Sequence, residues 1–138
     1  MKLAGKKILL VEDDNFIGDM FIRKLTVEGA LCTRAMSGAD GLRKLAEAHN
    51  DFDIIITDVM MAEMDGYEMI TKIKADVEAK LIPIIVLTNR SSLTEETKKV
   101  VHLDIAGLFI KSNTSLSELT NKVAEIIERN PRIKNDII

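Results

Sequence analysis

Lys6–Asp14 reads KKILLVEDD: two lysines, an unbroken apolar run, then three acids. A run so short and so fully apolar suits a strand covered on both faces, as strands in a parallel sheet are. It stops abruptly on Glu12-Asp13-Asp14, and Ile17, Phe21 and Leu25 then recur at helical spacing with Met20 beside them. The opening therefore predicts a strand, an acidic turn and an amphipathic helix.

The same alternation continues along the chain. Strand-like runs are predicted at Lys7–Val11, Leu31–Ala35, Asp53–Thr57, Pro83–Thr88 and Ala106–Ile110. Ile54-Ile55-Ile56 and Ile84-Ile85-Val86-Leu87 are as apolar as the first run, whereas the second strand is mixed in polarity and suits a sheet edge. Helical stripes lie between them at Leu42, Leu45 and Ala46, and at Met69, Ile70, Ile73 and Val77. The clearest is Leu116, Leu119, Val123, Ile126 and Ile127. Thr94–His102 carries a weaker pattern resting on Val100 and Val101. Start signals agree: Asp14 precedes the first helix, and Ser37/Asp40, Asp65/Glu68, Ser92/Glu95 and Ser115/Glu118 have capping-box spacing or its acidic equivalent. Pro131 ends the last helix. Five strands alternating with five helices predict an α/β fold, a (βα)5 parallel sheet with helices on both faces. One domain over residues 1–130 is expected, with a tail at 131–138, either standing alone or cut from a longer chain.

Composition narrows the function. The 138 residues carry 19 basic and 22 acidic side chains, a net charge of −3, which argues against nucleic acid or an anionic membrane as the main partner. The apolar run at Ile8–Val11 is too short for a secretory segment and ends on acids, and nothing approaches a membrane span. The single cysteine, Cys32, permits no intrachain disulfide and fits a reducing compartment, so a cytoplasmic location is expected.

In open parallel sheets, ligands bind beyond the carboxyl ends of the strands. Strand 1 ends in Glu12-Asp13-Asp14, strand 3 in Asp58, strand 4 in Thr88-Asn89 and strand 5 in Lys111-Ser112; strand 2 delivers Met36-Ser37 and nothing chemical. Carboxylates converging at one rim repel one another and must protonate or hold a cation. The donors are hard oxygens, and the two histidines, His49 and His102, fall elsewhere, so Mg2+ suits the site better than zinc or copper. A metal, a hydroxyl and a lysine around one carboxylate neutralise the charge of a transferring phosphoryl group, which makes Asp58 the candidate nucleophile. Asp14 is left as the helix cap.

Lys6–Asp14, Asp53–Gly66 (DIIITDVMMAEMDG), Pro83–Thr88 (PIIVLT) and Gly107–Lys111 (GLFIK) resemble the receiver domains of two-component response regulators, in order and spacing, over nearly the whole chain. The resemblance implies a flavodoxin-like sheet of order 2-1-3-4-5. It implies Mg2+ bound by Asp13, Asp58 and the Met60 carbonyl, with Glu12 helping through water. Thr88 and Lys111 would contact the phosphoryl oxygens, and Gly66 would allow the turn into the third helix. A sensor histidine kinase or phosphotransfer protein would be the donor. A downstream protein would bind the face made by Thr94–His102, the fifth strand and the last helix.

The chain departs from the family's pattern at four places. Ala62 and Ser112 stand where Pro is common, and Asn89 where a smaller residue is usual. Leu108 replaces a frequent strand-5 aromatic, and Phe109 is no substitute because neighbouring strand residues face opposite ways. Without Pro, the Lys111–Ser112 bond is expected to be trans. The departures at Ser112, Leu108 and Asn89 keep open a phosphorylation-independent, receiver-like interaction module. A flavin or nucleotide enzyme on this fold is disfavoured, because Glu12-Asp13-Asp14 would repel a phosphate.

Overall fold

A computed structural model describes residues 1–61, 64–95 and 97–131. Strands β1 (Lys7–Val11), β2 (Leu31–Ala35), β3 (Ile54–Thr57), β4 (Ile84–Thr88) and β5 (Gly107–Ile110) form one parallel sheet, ordered β2-β1-β3-β4-β5. Helices α1 (Asn15–Val27), α2 (Gly38–Glu47), α3 (Gly66–Lys74) and α4 (Leu116–Arg129) cover it. The flavodoxin-like order implied by the sequence is therefore the one observed, with the mixed-polarity β2 at one edge.

The apolar runs divide between two cores by alternation. Leu9, Val11, Ile55, Ile84 and Val86 pack with Leu45, Met69, Ile70, Ile73 and Val100 on the face of α2 and α3. Ile8, Leu10, Ile54, Ile56, Ile85 and Leu87 pack with Phe21, Leu25, Leu119, Val123, Ile126 and Ile127 on the face of α1 and α4. Successive strand residues point to opposite faces, so a strand buried on both must be apolar throughout. Leu108 packs against the first core and Phe109 against the second, as alternation requires.

The caps form as the spacing predicts at four helices. Asp14, Ser37, Asp65 and Ser115 accept from the backbone N–H three residues on, at Ile17, Asp40, Glu68 and Glu118. Each satisfies an N–H that the helix itself leaves without a partner.

The fifth expected helix does not form. Thr97–His102 is a 3-10 segment, and Ser92 lies in a separate 3-10 turn, Arg90–Ser92, with no capping bond there. The Thr97 hydroxyl donates to the Ser92 carbonyl at 2.5 Å and accepts from Thr94 N at 2.8 Å, while Thr94 Oγ1 accepts from Thr97 N at 3.3 Å. These local side-chain bonds compete with the helical ladder, and β-branched Thr97, Val100 and Val101 add little helix propensity to oppose them.

Candidate functional site

Register assembles the site. Val11 pairs with Thr57, so Glu12 and Asp58 leave adjacent strands side by side; Thr88 pairs with Ile110, so Lys111 emerges one step beyond. Three of the side chains gathered there are buried. Thr88 is fully buried, Glu12 is 3% exposed and Asp58 6% exposed.

Both oxygens of Asp58 are engaged. Oδ1 accepts from Val59 N at 2.6 Å, Met60 N at 3.3 Å and Thr88 Oγ1 at 2.7 Å. Oδ2 accepts from Lys111 Nζ at 2.9 Å, and the same ammonium bonds Glu12 Oε1. Buried charges persist when they are paired and hydrogen-bonded, and this trio meets both conditions. Burial pushes the Glu12 carboxyl above its ordinary value, against the pull of Lys111, and the neighbouring Asp58 charge adds to the rise. Burial pulls the Lys111 ammonium down, but its hydrogen bonds and charge pairing with Asp58 and Glu12 outweigh that, and its pKa is raised.

The turn after Asp58 depends on Gly66. Its N–H donates to the Val59 carbonyl at 2.7 Å, and a Cβ there would lie 2.2 Å from the Asp58 carbonyl oxygen. Only a residue without a side chain lets α3 start so close to the acceptor strand. The neighbouring Ala62 falls outside the described residues.

Glu12, Asp58, Thr88 and Lys111 thus come together as expected. Asp13 does not join their bonds; it is exposed on the adjoining loop. Met60 contributes its N–H to Asp58, while its side chain is half exposed. Among the described residues, no group of three or more His, Cys, Asp or Glu side chains is arranged to hold a metal ion. Asn89 is exposed, and the Lys111–Ser112 bond is trans, there being no cis peptide among the described residues.

The chain belongs to the response regulator receiver domain family. That family's model matches residues 8–124. The receiver is 34% identical over 127 residues to the histidine kinase P4 of Formosa agariphila, covering 92% of this chain and 9% of that protein. It is 30% identical over 124 residues to the response regulator MprA of a Mycobacterium species, covering 89% of this chain and 51% of that one. This chain therefore spans about half of one relative's length and under a tenth of the other's. Among solved structures it superimposes on the receiver domain of a Pseudomonas aeruginosa sensor histidine kinase with a TM-score of 0.77 and 25% identity. That match covers 91% of this chain and 99% of the other, a structure with a magnesium ion coordinated in its active-site cleft. The receiver is thus a signalling domain of two-component systems, and no helix among the described residues is long and apolar enough to cross a membrane.

One residue of the site escapes sequence reading. β2 is not chemically silent, because Arg34 reaches over the end of β1. Its Nε donates to the Glu12 carbonyl at 2.9 Å and its Nη2 to the Asp14 carbonyl at 3.1 Å, while Nη1 stands 3.5 Å from Asp19 Oδ1. The guanidinium lies over Gly18, where a Cβ would be 2.1 Å from Arg34 Cζ. A glycine in the buried face of a helix costs about 1 kcal/mol against alanine. That unexplained cost at Gly18 was the available signal.

Proposed function

We propose that this receiver accepts a phosphoryl group on Asp58 from a sensor histidine kinase or phosphotransfer protein. One observation carries the reading. A single near-buried carboxylate has a hydroxyl and two amides on one oxygen and an ammonium on the other, with a second carboxylate alongside. In the transfer, the Asp58 carboxylate attacks phosphorus, the new O–P bond forms and the donor's bond to phosphorus breaks. The Lys111 ammonium, on its flexible stem, moves from the carboxylates to a phosphoryl oxygen, and the Thr88 hydroxyl donates to another. With these groups already gathered at the rim, little beyond that side-chain swing is needed when the negative charge arrives.

The donor set also fits Mg2+, which takes one or two carboxylates, keeps several waters and needs no all-protein cage. Asp13, Asp58 and the Met60 carbonyl would hold it directly and Glu12 through water; when bound it neutralises charge on the transferring group. The exposed position of Asp13 beside two buried carboxylates supports that assignment. Domain boundaries of 1–130, a cytoplasmic setting, and output to a protein through Thr97–His102, β5 and α4 complete the proposal.

The test is intact-mass measurement after treatment with acetyl phosphate and Mg2+. Wild type should gain one alkali-labile phosphate and Asp58→Asn none. Uptake by Asp58→Asn at the wild-type rate would show that the acceptor lies elsewhere. Leu108, which lacks the ring common at that position, favours the second reading, an interaction module independent of phosphorylation. A wild type that takes no phosphate selects it.

A further inference from the structure

Arg34 occupies a place that the acceptor reading leaves unused. The acidic loop 12–14 carries its charges on a turn between β1 and α1, and Arg34 enters from the next strand. Its bonds reach the carbonyl of Glu12 and the carbonyl of Asp14, the residues on either side of Asp13. The Arg34 side chain is 18% exposed, while the Asp19 carboxylate that it meets is 72% exposed, so the buried part of the contact is with the loop backbone. Asp14 is held a second way, by its side chain on Ile17 N at 2.9 Å. Asp13 is thus an exposed carboxylate on a backbone fixed at both flanks.

We propose that Arg34 is a positioning residue of the acceptor site. By clamping the Glu12 and Asp14 carbonyls it holds Asp13 where its carboxylate meets the cation beside Asp58, while its charge offsets the repulsion among Glu12, Asp13 and Asp14. A planar fork is needed, because Nε and Nη2 address two carbonyls at once and a lysine ammonium is a point charge. Gly18 belongs to the same device, since any side chain there would evict the guanidinium. This inference rests on the reading of Asp58 as an Mg2+-assisted phosphoacceptor.

The test compares wild type, Arg34→Ala, Arg34→Lys and Gly18→Ala. Mg2+ affinity is read from amide-shift titration without any phosphodonor, and phosphorylation by acetyl phosphate is followed across a Mg2+ series. Residues that orient metal ligands typically change metal affinity by about 10–100-fold when removed. Arg34→Ala and Gly18→Ala should therefore raise the Mg2+ dissociation constant at least about tenfold, and the rate at saturating Mg2+ should fall far less. Millimolar guanidinium should restore part of the affinity in Arg34→Ala, where it can fill the slot over Gly18, and urea should not. Arg34→Lys should stay impaired. A folded Arg34→Ala that binds Mg2+ within about twofold of wild type overturns the inference, well short of the range for such residues. If Arg34→Ala does not fold, unchanged affinity in Arg34→Lys overturns it equally. A wild type that binds no Mg2+ and takes no phosphate sinks the acceptor reading and this inference together; an active wild type with unaffected Arg34 variants sinks this inference alone.

Discussion

Replacing Lys111 with methionine leaves two carboxylates facing each other with no cation between them. The side chains concerned are 10% exposed for Lys111, 4% for Glu12 and 7% for Asp58, so water screens little of the effect. Deleting one partner of a buried pair costs about 3–5 kcal/mol. The variant has one escape, which is to protonate a carboxylate. Burial already lifts Glu12 above its ordinary 4.5, and the Asp58 charge lifts it further. Forcing a proton onto an ordinary carboxyl at pH 7 costs about 3.4 kcal/mol, which caps the loss. The two routes agree on about 3 kcal/mol at pH 7, or a melting temperature lower by about 10 °C for a chain of this size. The folded variant then holds a proton that the unfolded chain releases, so its stability rises as pH falls, by about 1.4 kcal/mol per unit down to the ordinary carboxyl value. In wild type the folded-state pKa of Lys111 is raised above 10.5, so its contribution is complete below 10.5 and is lost as pH climbs through the raised value. Urea unfolding of both proteins at pH 7 and pH 5 measures the gap directly. It should shrink by at most about 2.7 kcal/mol between the two, since the raised Glu12 carboxyl lets wild type gain some stability as well, and Glu12→Gln combined with Lys111→Met should close most of it at pH 7. A gap under about 1 kcal/mol with no pH dependence would mean a solvated surface pair and refute the reasoning.

Gly66→Ala places a methyl 2.2 Å from the Asp58 carbonyl oxygen, a backbone atom that cannot yield cheaply. It should cost about 1–3 kcal/mol in urea unfolding and slow acceptor phosphorylation; a neutral result would show that the α3 turn is looser than drawn. Met60 is half exposed next to the acceptor and cannot orient water through strong hydrogen bonds. Met60→Asn should therefore quicken hydrolysis of the acyl phosphate, and loss of phosphate followed by intact mass would contradict this if the rate stayed the same or fell.

Much of the fold was legible because burial on both faces forces a distinctive composition. β3 and β4 begin one residue later than expected, at Ile54 and Ile84, though Asp53 N still donates to the Lys7 carbonyl and the Pro83 carbonyl still accepts from Ile55 N across the sheet. The site was legible for a related reason. Polar residues that follow such runs without a break must stand at the strand ends, and parallel strands in register bring those ends together. Glu12, Asp58, Thr88 and Lys111 could be placed in this way with no knowledge of the side-chain bonds.

What stayed hidden depended on partners far apart in sequence or on competition within one turn. In Thr94–His102 the spacing of Ser92 and Glu95 matched a cap, but a pattern states only that a bond is available. It does not weigh that bond against the Thr94 and Thr97 hydroxyls, which take up the Thr94 and Thr97 N–H groups and the Ser92 carbonyl. Arg34 was hidden differently. Its partners are main-chain carbonyls, which carry no residue identity, so nothing at positions 12 and 14 announces an arginine. The trace it leaves is negative: the missing Cβ at Gly18, sixteen residues earlier, at the first buried position of α1. A helix does not ordinarily forgo alanine at such a position, and a charged residue near the end of an otherwise uncharged edge strand has to put its charge somewhere. Each oddity alone has an ordinary explanation. Read as a pair they meet at the loop that carries Asp13, and the metal-affinity measurements on the Arg34 and Gly18 variants are a test of that pairing.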